Sequence, residues 1–374
     1  MAYGFGAILL GLTLEAEGWS GTAVGALLTA VVAGTALASM LVAARGERFG
    51  RRRAYAVLFL GLAVTGAVFA ATRRFALLVA VALTGTLSTE VVESGPFTSL
   101  EQAMLAQSTD GDARTRAFST YNAVATLAGA LGALLAGAPA RLGPRWFLVF
   151  VPVGLLGAVL ARTLSPAVEA PRTEPGLTLA GRFGLGRSGP VVVRLSALFA
   201  TDALGGGFVV QAFIAYWLRL RFGAPAGTVG AVFAVIGILQ AASFLVAGRL
   251  AIRFGLLDTM VFTHLPSNLL LAAVPAAPSL PVAAGLLFAR SALSQMDVPT
   301  RQAYVMALVD PHERTAAAAW TNTARYVARP LGPVLGGTLT PLALGAPFVV
   351  AGTVKALYDL ALWRWFRRVP LPGP

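Results

Sequence analysis

The sequence predicts an all-α membrane protein made of two bundles of six helices each. Three observations carry that expectation: a composition too apolar for water, apolar runs of spanning length, and an internal repeat that divides the chain in half. Hydrophobic residues make up 57% of the 374 and charged residues only 12%. A soluble domain carries about a quarter charged residues. The apolar runs last about 17–25 residues, enough to cross a hydrocarbon core roughly 30 Å thick. They are apolar all round, unlike the striped helices that cover a soluble core.

Taken in order, the expected spans are 2–16, 22–44, 54–71, 75–100, 117–137, 146–163, 191–217, 227–248, 257–277, 281–307, 315–340 and 346–366. Segment 164–190, LSPAVEAPRTEPGLTLAGRFGLGRSGP, is rich in Pro, Gly, Arg and Ser. It reads as a polar linker between a first half, 1–163, and a second, 191–374. The first span is short for a bilayer, and its repeat counterpart reaches further back. The expectation is therefore that roughly ten to fifteen residues are missing from it, the alternative being a genuine half-length helix. No basic region precedes it, so no cleavable signal peptide is evident.

Charge fixes the expected orientation. The net charge is +13, nearly all arginine, with Lys355 the only lysine. Arg45, Arg48, Arg51, Arg52, Arg53 and most later loop arginines, through Arg368, fall on one side. Arg73, Arg74, Arg141, Arg145, Arg219 and Arg221 fall on the other. The positive-inside rule puts the richer side, the linker and both termini in the cytoplasm. Basic residues confined to short loops do not make a nucleic-acid surface. The chain has no cysteine, hence no disulfide. It has no G-x-x-x-x-G-K-[ST] loop, no H-E-x-x-H and no clustered metal ligands. No enzyme activity, cofactor or metal is expected.

The repeat is ordered. RFG at 48–50 returns at 253–255, an offset of 205 that also pairs Gly25 with Gly230. At an offset of 200, Gln102 and Ala103 meet Gln302 and Ala303. Asp110, Arg114, Thr115, Asn122, Gly132 and Gly137 meet Asp310, Arg314, Thr315, Asn322, Gly332 and Gly337. Parallel six-span repeats are a pattern of secondary transporters, with the substrate near the midplane between halves.

GERFGRRR, residues 46–53, resembles the signature loop of the major facilitator superfamily. Ala43 stands where that loop starts with glycine, and Glu47 where it has aspartate. The second copy, GRLAIRFGLL, keeps Gly248, Arg253 and Gly255 but has Ile252 in the acid's place. The stretches 198–217 and 354–366 look like those of uncharacterised bacterial members. The resemblance covers essentially the whole chain. It implies a monomer in a bacterial inner membrane, a small-molecule substrate, and a cavity lined by spans one, four, seven and ten. It also implies a latch built from Ala43, Glu47, Arg48, Gly50, Arg51 and Arg52, with Glu101 as a third acid. Gly50 allows a tight turn, Glu47 and Arg51 are spaced to pair, and the acid faces the positive end of the eleventh span. The plainer alternative is that these arginines only set topology and touch lipid phosphates.

Ionisable groups at membrane depth are costly and hence candidates. Glu90 and Glu93, three apart, suit a shared proton, a structural ion pair or an outer vestibule. Asp202, beside Gly205–Gly207, and Gln211 are expected in the cavity. Arg290 stands at the repeat position of Glu90. Asp297 and Arg325 complete the substrate or coupling candidates. Lys355 and Asp359, four apart, are expected to neutralise each other, and His264 to serve packing. Asp110–Arg114 and Asp310–Arg314 read as caps or gate charges, and Asn122 and Asn322 as interhelical hydrogen-bonders. Few charges at depth favour amphipathic solutes. The expected function is proton-coupled export of a small organic solute. The alternatives are import of a sugar or organic anion, or a non-transporting sensor or scaffold.

Overall fold

The computed structural model describes residues 1–90, 95–107, 111–138, 143–169, 185–310 and 313–369, the side chains at 43, 46–48, 106–107, 111–119 and 315 excepted. Sixteen α-helices lie among them: α1 (Ala2–Ala16), α2 (Gly21–Phe49), α3 (Arg51–Ala71), α4 (Phe75–Ala82), α5 (Pro96–Gln107), α6 (Gly111–Ala136), α7 (Phe150–Thr163), α8 (Gly189–Phe208), α9 (Gln211–Phe222), α10 (Ala226–Phe254), α11 (Leu256–Ala273), α12 (Leu280–Ser294), α13 (Asp297–Leu308), α14 (Arg314–Ala328), α15 (Leu331–Leu339) and α16 (Ala346–Phe366). Short 3-10 turns precede α7, follow it at Pro166–Val168, and follow α11. No strand occurs among the described residues.

The repeat is written into the boundaries. Helix α2 and helix α10 start and stop 205 residues apart, as do the starts of α3 and α11 and of α4 and α12. At both α2–α3 and α10–α11 the chain turns on one residue, Gly50 at φ 94° and Gly255 at φ 87°. Only glycine takes that conformation cheaply. Each half therefore makes the same sharp turn for the same backbone reason.

Four expected spans are two helices each. The fourth stops at Ala82 and resumes at Pro96, a proline suited to a first helical position. Residues 83–90, LTGTLSTE, are not helical. Hydroxyls take up some of the freed backbone groups: Thr84 Oγ1 donates to Val81 O at 2.7 Å, and Ser88 Oγ bridges the Glu90 backbone N–H and carbonyl at 3.0 Å. Thr65, Thr84 and Thr86 join their hydroxyls at 3.0–3.3 Å. Unwound backbone at membrane depth is tolerated where protein surrounds it in this way. The seventh span breaks at Val209–Val210, the tenth at Gln295–Met296, and the eleventh at Arg329–Pro330, where proline supplies no amide donor. Continuous helices were expected at all four places. Hydropathy runs unbroken through the seventh, 189–222, and there does not report helix continuity.

By backbone packing the chain falls into two units, Met1–Thr173 with Val210–Gly237, and Glu174–Val209 with Ile238–Pro374. In the first, α1 is buried along most of its length. A methyl at Gly4 would collide with the Gly129 carbonyl, at Gly132 with the Met1 carbonyl, and at Gly11 with the Ala212 carbonyl. The glycines of GALGALLAG thus let α6 touch α1 backbone to backbone. In the second unit, Gly207 meets the Arg329 carbonyl and Gly332 in the same way. In the same unit Phe199, Met260, Val261, Tyr304, Tyr358 and Leu362 belong to one buried apolar core.

Candidate functional site

Inside that second unit lies a buried ion cluster. Asp202, on α8, is 4% exposed and accepts from Lys355 Nζ of α16 and from Arg301 Nη1 of α13 at 3.4 Å. His264 Nε2 of α11 stands 3.8 Å from the same carboxylate. Arg301 also pairs with Asp297, 3.1 Å away and one turn back on α13. Asp359, fully buried on α16, lies 2.8 Å from His264 Nδ1 and accepts from Asn268 Nδ2 at 2.8 Å. Four helices each place one or two of these groups. The glycines at 205–207 let α16 approach α8: a methyl at Gly205 would press on the Lys355 stem. Three carboxylates here contact two fixed cations and one imidazole.

This arrangement departs from the sequence reading in two places. Lys355 turns to Asp202, not to Asp359, because the carboxylate across the helix interface is shared by a second cation and the one on its own helix is held by His264 and Asn268. His264 is a bridge between two carboxylates, not a packing residue. Arg301, absent from the sequence candidates, sits at the repeat position of Glu101 and four residues after Asp297. That spacing was the signal available. Arg325, on α14, lies within electrostatic reach of Asp202, Asp297 and Arg301. Arg290 is half-buried on α12.

In the first unit, the α2–α3 turn is tied to the segment that follows α7. Glu169 accepts from the Arg51 and Arg52 amides, at 2.6 and 3.2 Å, at the start of α3. A carboxylate there satisfies orphan donors and meets the positive end of the helix. The Arg51 side chain is buried and donates to the Ala103 and Val168 carbonyls at 3.2 and 3.1 Å. Arg52 donates to the Arg162 carbonyl. Glu101 accepts from the Tyr55 and Tyr121 hydroxyls. Glu169 was not singled out by sequence, since nothing local marks a linker carboxylate as a cap 118 residues away.

Glu90 is half-buried in the unwound stretch, and Gln211 is buried at the start of α9, both in the first unit. Backbone joins these regions: the Ala212 amide donates to the Thr89 carbonyl at 3.0 Å. Near the far ends of α1 and α9, Glu15 pairs with Arg219 at 2.8 Å, and the Tyr216 hydroxyl donates to the Trp19 carbonyl at 3.1 Å. Glu17 holds Arg73 through two bonds of 2.7 and 3.0 Å.

Asp310 does not cap α14 with its side chain. Its amide donates to Ser188 Oγ, and Glu313 occupies the cap position. The Glu313 carboxylate accepts from the Gly186 and Ser188 amides at 2.6 and 3.0 Å, just before α8. Arg314 Nε donates to the Met306 carbonyl at 3.1 Å. In the second-half loop, Gly248 is uncrowded, Gly255 makes the turn, and the Arg253 guanidinium lies over the Phe254 ring. Asn122 and Asn322 are exposed and do not tie helices together. Glu93 and Asp110 lie outside the described residues, as do the side chains of Ala43, Glu47, Arg48 and Arg114.

The profile of the Major Facilitator Superfamily matches residues 1–220 and 195–374, the whole chain in two overlapping parts. The chain belongs to the major facilitator superfamily. It is 25% identical over 407 aligned positions to the uncharacterized membrane protein YJR124C of Saccharomyces cerevisiae, covering 97% of this chain and 90% of that one. Its fold is similar to that of a mutant of the nucleoside transporter NupG, with a TM-score of 0.77, 12% identity, and coverage of 98% and 96%. It is also similar to the inward-open xylose transporter XylE from E. coli, at 0.70, 15% identity, and 100% and 96%. At such identities these structures establish the two-bundle fold alone. Superfamily membership makes this a multi-pass membrane protein and points to a transporter, not an enzyme. Among the described residues, seven stretches are long and apolar enough to cross a bilayer: 21–42, 51–71, 144–163, 189–222, 226–254, 256–276 and 346–366. The superfamily fold thus puts the Asp202 cluster at membrane depth, where unused charge is costly.

Proposed function

We propose that the protein is a proton-coupled secondary transporter that exports a small organic solute by alternating access. The observation that carries this reading is the Asp202–His264–Asp359 cluster, a buried imidazole held between two carboxylates. A structural role alone is served as well by apolar packing. A group that gains and loses a proton as the site opens to water needs such a set. The charges facing His264 come from every helix around it: Asp202 from α8, Asp297 and Arg301 from α13, and Lys355 and Asp359 from α16, with Tyr358 edge-on to its ring. Helix α12, also packed on α11, carries Arg290. Export is the direction that suits amphipathic solutes, which enter a bilayer unaided and need work to leave it.

The halves 1–163 and 191–374 would move against each other around the 164–190 linker. The 46–53 turn would act as the inner latch through Glu47 and Arg51, with both termini in the cytoplasm of a bacterial cell. Uptake into proteoliposomes under an imposed pH gradient, screened over a panel of amphipathic compounds, tests the reading. At least one compound should move in response to the gradient, and His264→Gln should abolish the response while leaving gradient-free exchange. No response to any compound would favour the sensor or scaffold reading.

A further inference from the structure

Three cationic side chains surround Asp202 in the second unit, and the carboxylates there satisfy only two of them. Lys355 and Arg301 both engage Asp202, and Arg301 takes Asp297 as well. Asp359 is held by His264 and Asn268. Arg325 is the cation left over. Among the described residues no hydrogen bond or ion pair reaches its guanidinium, and its Nε is sealed from solvent without an acceptor. Arg301 close by adds to the positive potential around it. A guanidinium in such surroundings carries a desolvation cost that Asp202 and Asp297, beyond contact distance, offset only in part.

We propose that Arg325 is the docking point for the anionic group, a carboxylate, phosphate or sulfonate, of an otherwise apolar organic substrate. This rests on the transport reading above and adds the charge of the cargo. The fork of guanidinium donors matches the two oxygens of such groups, and a point-charge ammonium would not. Carboxylates already fill the sites of Lys355 and Arg301, so the free fork is the one place in the cluster where an incoming anion gains without breaking a pair. Depth separates two sources of the same chemistry. Arg325 lies about 16 Å along α14 from its Arg314 end, near the middle of a core roughly 30 Å thick. Lipid headgroups sit at the core's two surfaces, whereas transporters of this architecture bring their solutes to the midplane.

The test is thermal unfolding of the full-length protein in lipid nanodiscs with matched probes. These are benzoate against benzamide, decanoate against decanamide and phenyl phosphate against benzyl alcohol, together with inorganic phosphate and dihexanoyl phosphatidate. At least one organic anion should raise the melting temperature while its neutral partner does not. Its apparent affinity should fall at least about tenfold in Arg325→Gln, fall less in Arg325→Lys, and stay unchanged in the exposed control Arg364→Gln. The proposal is overturned if no organic anion shifts the wild type, if neutral partners act equally, if Arg325→Gln keeps full affinity, or if only the phosphatidate binds. Should Arg325→Gln fail to fold, phenylglyoxal labelling of Arg325 in the wild type, read by mass spectrometry, replaces it. The bound anion should slow labelling, and an unchanged rate overturns the proposal. An anion that binds but is never carried in proteoliposomes would defeat the transport reading and leave the site standing. Transport of neutral solutes alone would do the reverse.

Discussion

Asp202 is, among the described residues, the one carboxylate that two cations and a histidine share. Removing its charge strands Lys355 in a buried place and leaves Arg301 with Asp297 alone; breaking a buried ion pair costs about 3–5 kcal/mol. Asp202→Asn should therefore lower the melting temperature markedly, and adding Lys355→Met should recover part of the loss. A double variant no more stable than the single one would show that the pair is not the source. The sequence showed Asp202, Asp297, Lys355 and Asp359 as charges at depth but not their pairing. Spacing of four suggested Lys355 with Asp359, yet the partner of Lys355 lies 153 residues away. Only packing reveals a contact between helices that far apart in the chain. Gly50 is a second residue-scale case. At φ 94° an alanine there is strained by about 1–2 kcal/mol. At the uncrowded, helical Gly248 the same change should be neutral or stabilising by up to about 1 kcal/mol. In paired melting curves Gly50→Ala should lose stability and Gly248→Ala should not; equal shifts would mean that the turn is not conformationally demanding.

Helix α1 and helix α9 meet where Gly11 lies against the Ala212 carbonyl, and the contact continues through Glu15–Arg219 and Tyr216–Trp19. Alternating access requires the first and seventh spans to part on one side during the cycle. The chain contains no cysteine, so Glu15→Cys with Arg219→Cys needs no background removed. A short bifunctional cross-link between them should stop transport, and a cleavable one should restore it on cleavage. Unimpaired transport with the link intact would show that these helices never separate. At this scale the sequence was informative about where helices begin after each repeat. RFG at 48–50 and 253–255 marked both turns, and α2 and α10 share their limits at the same offset of 205. It was silent about the breaks. Residues 83–90 are more polar than the wholly apolar 75–82 before them, but the threonine and serine hydroxyls that make the unwound backbone tolerable look like ordinary helix residues until their partners are seen.

For the whole molecule, superfamily membership settles the fold and the membrane setting, and the resemblance of the 46–53 loop had already led there. Function at finer grain depends on whether the buried cluster in the second half exchanges a proton during turnover. Solute and proton movement recorded together in proteoliposomes, with a pH-sensitive dye trapped inside, measures this directly. The wild type should move protons in fixed proportion to the solute. Asp202→Asn and His264→Gln should uncouple the two, leaving exchange of solute across equal pH. Solute transport without proton movement in the wild type, or with unchanged proportion in both variants, would contradict the account.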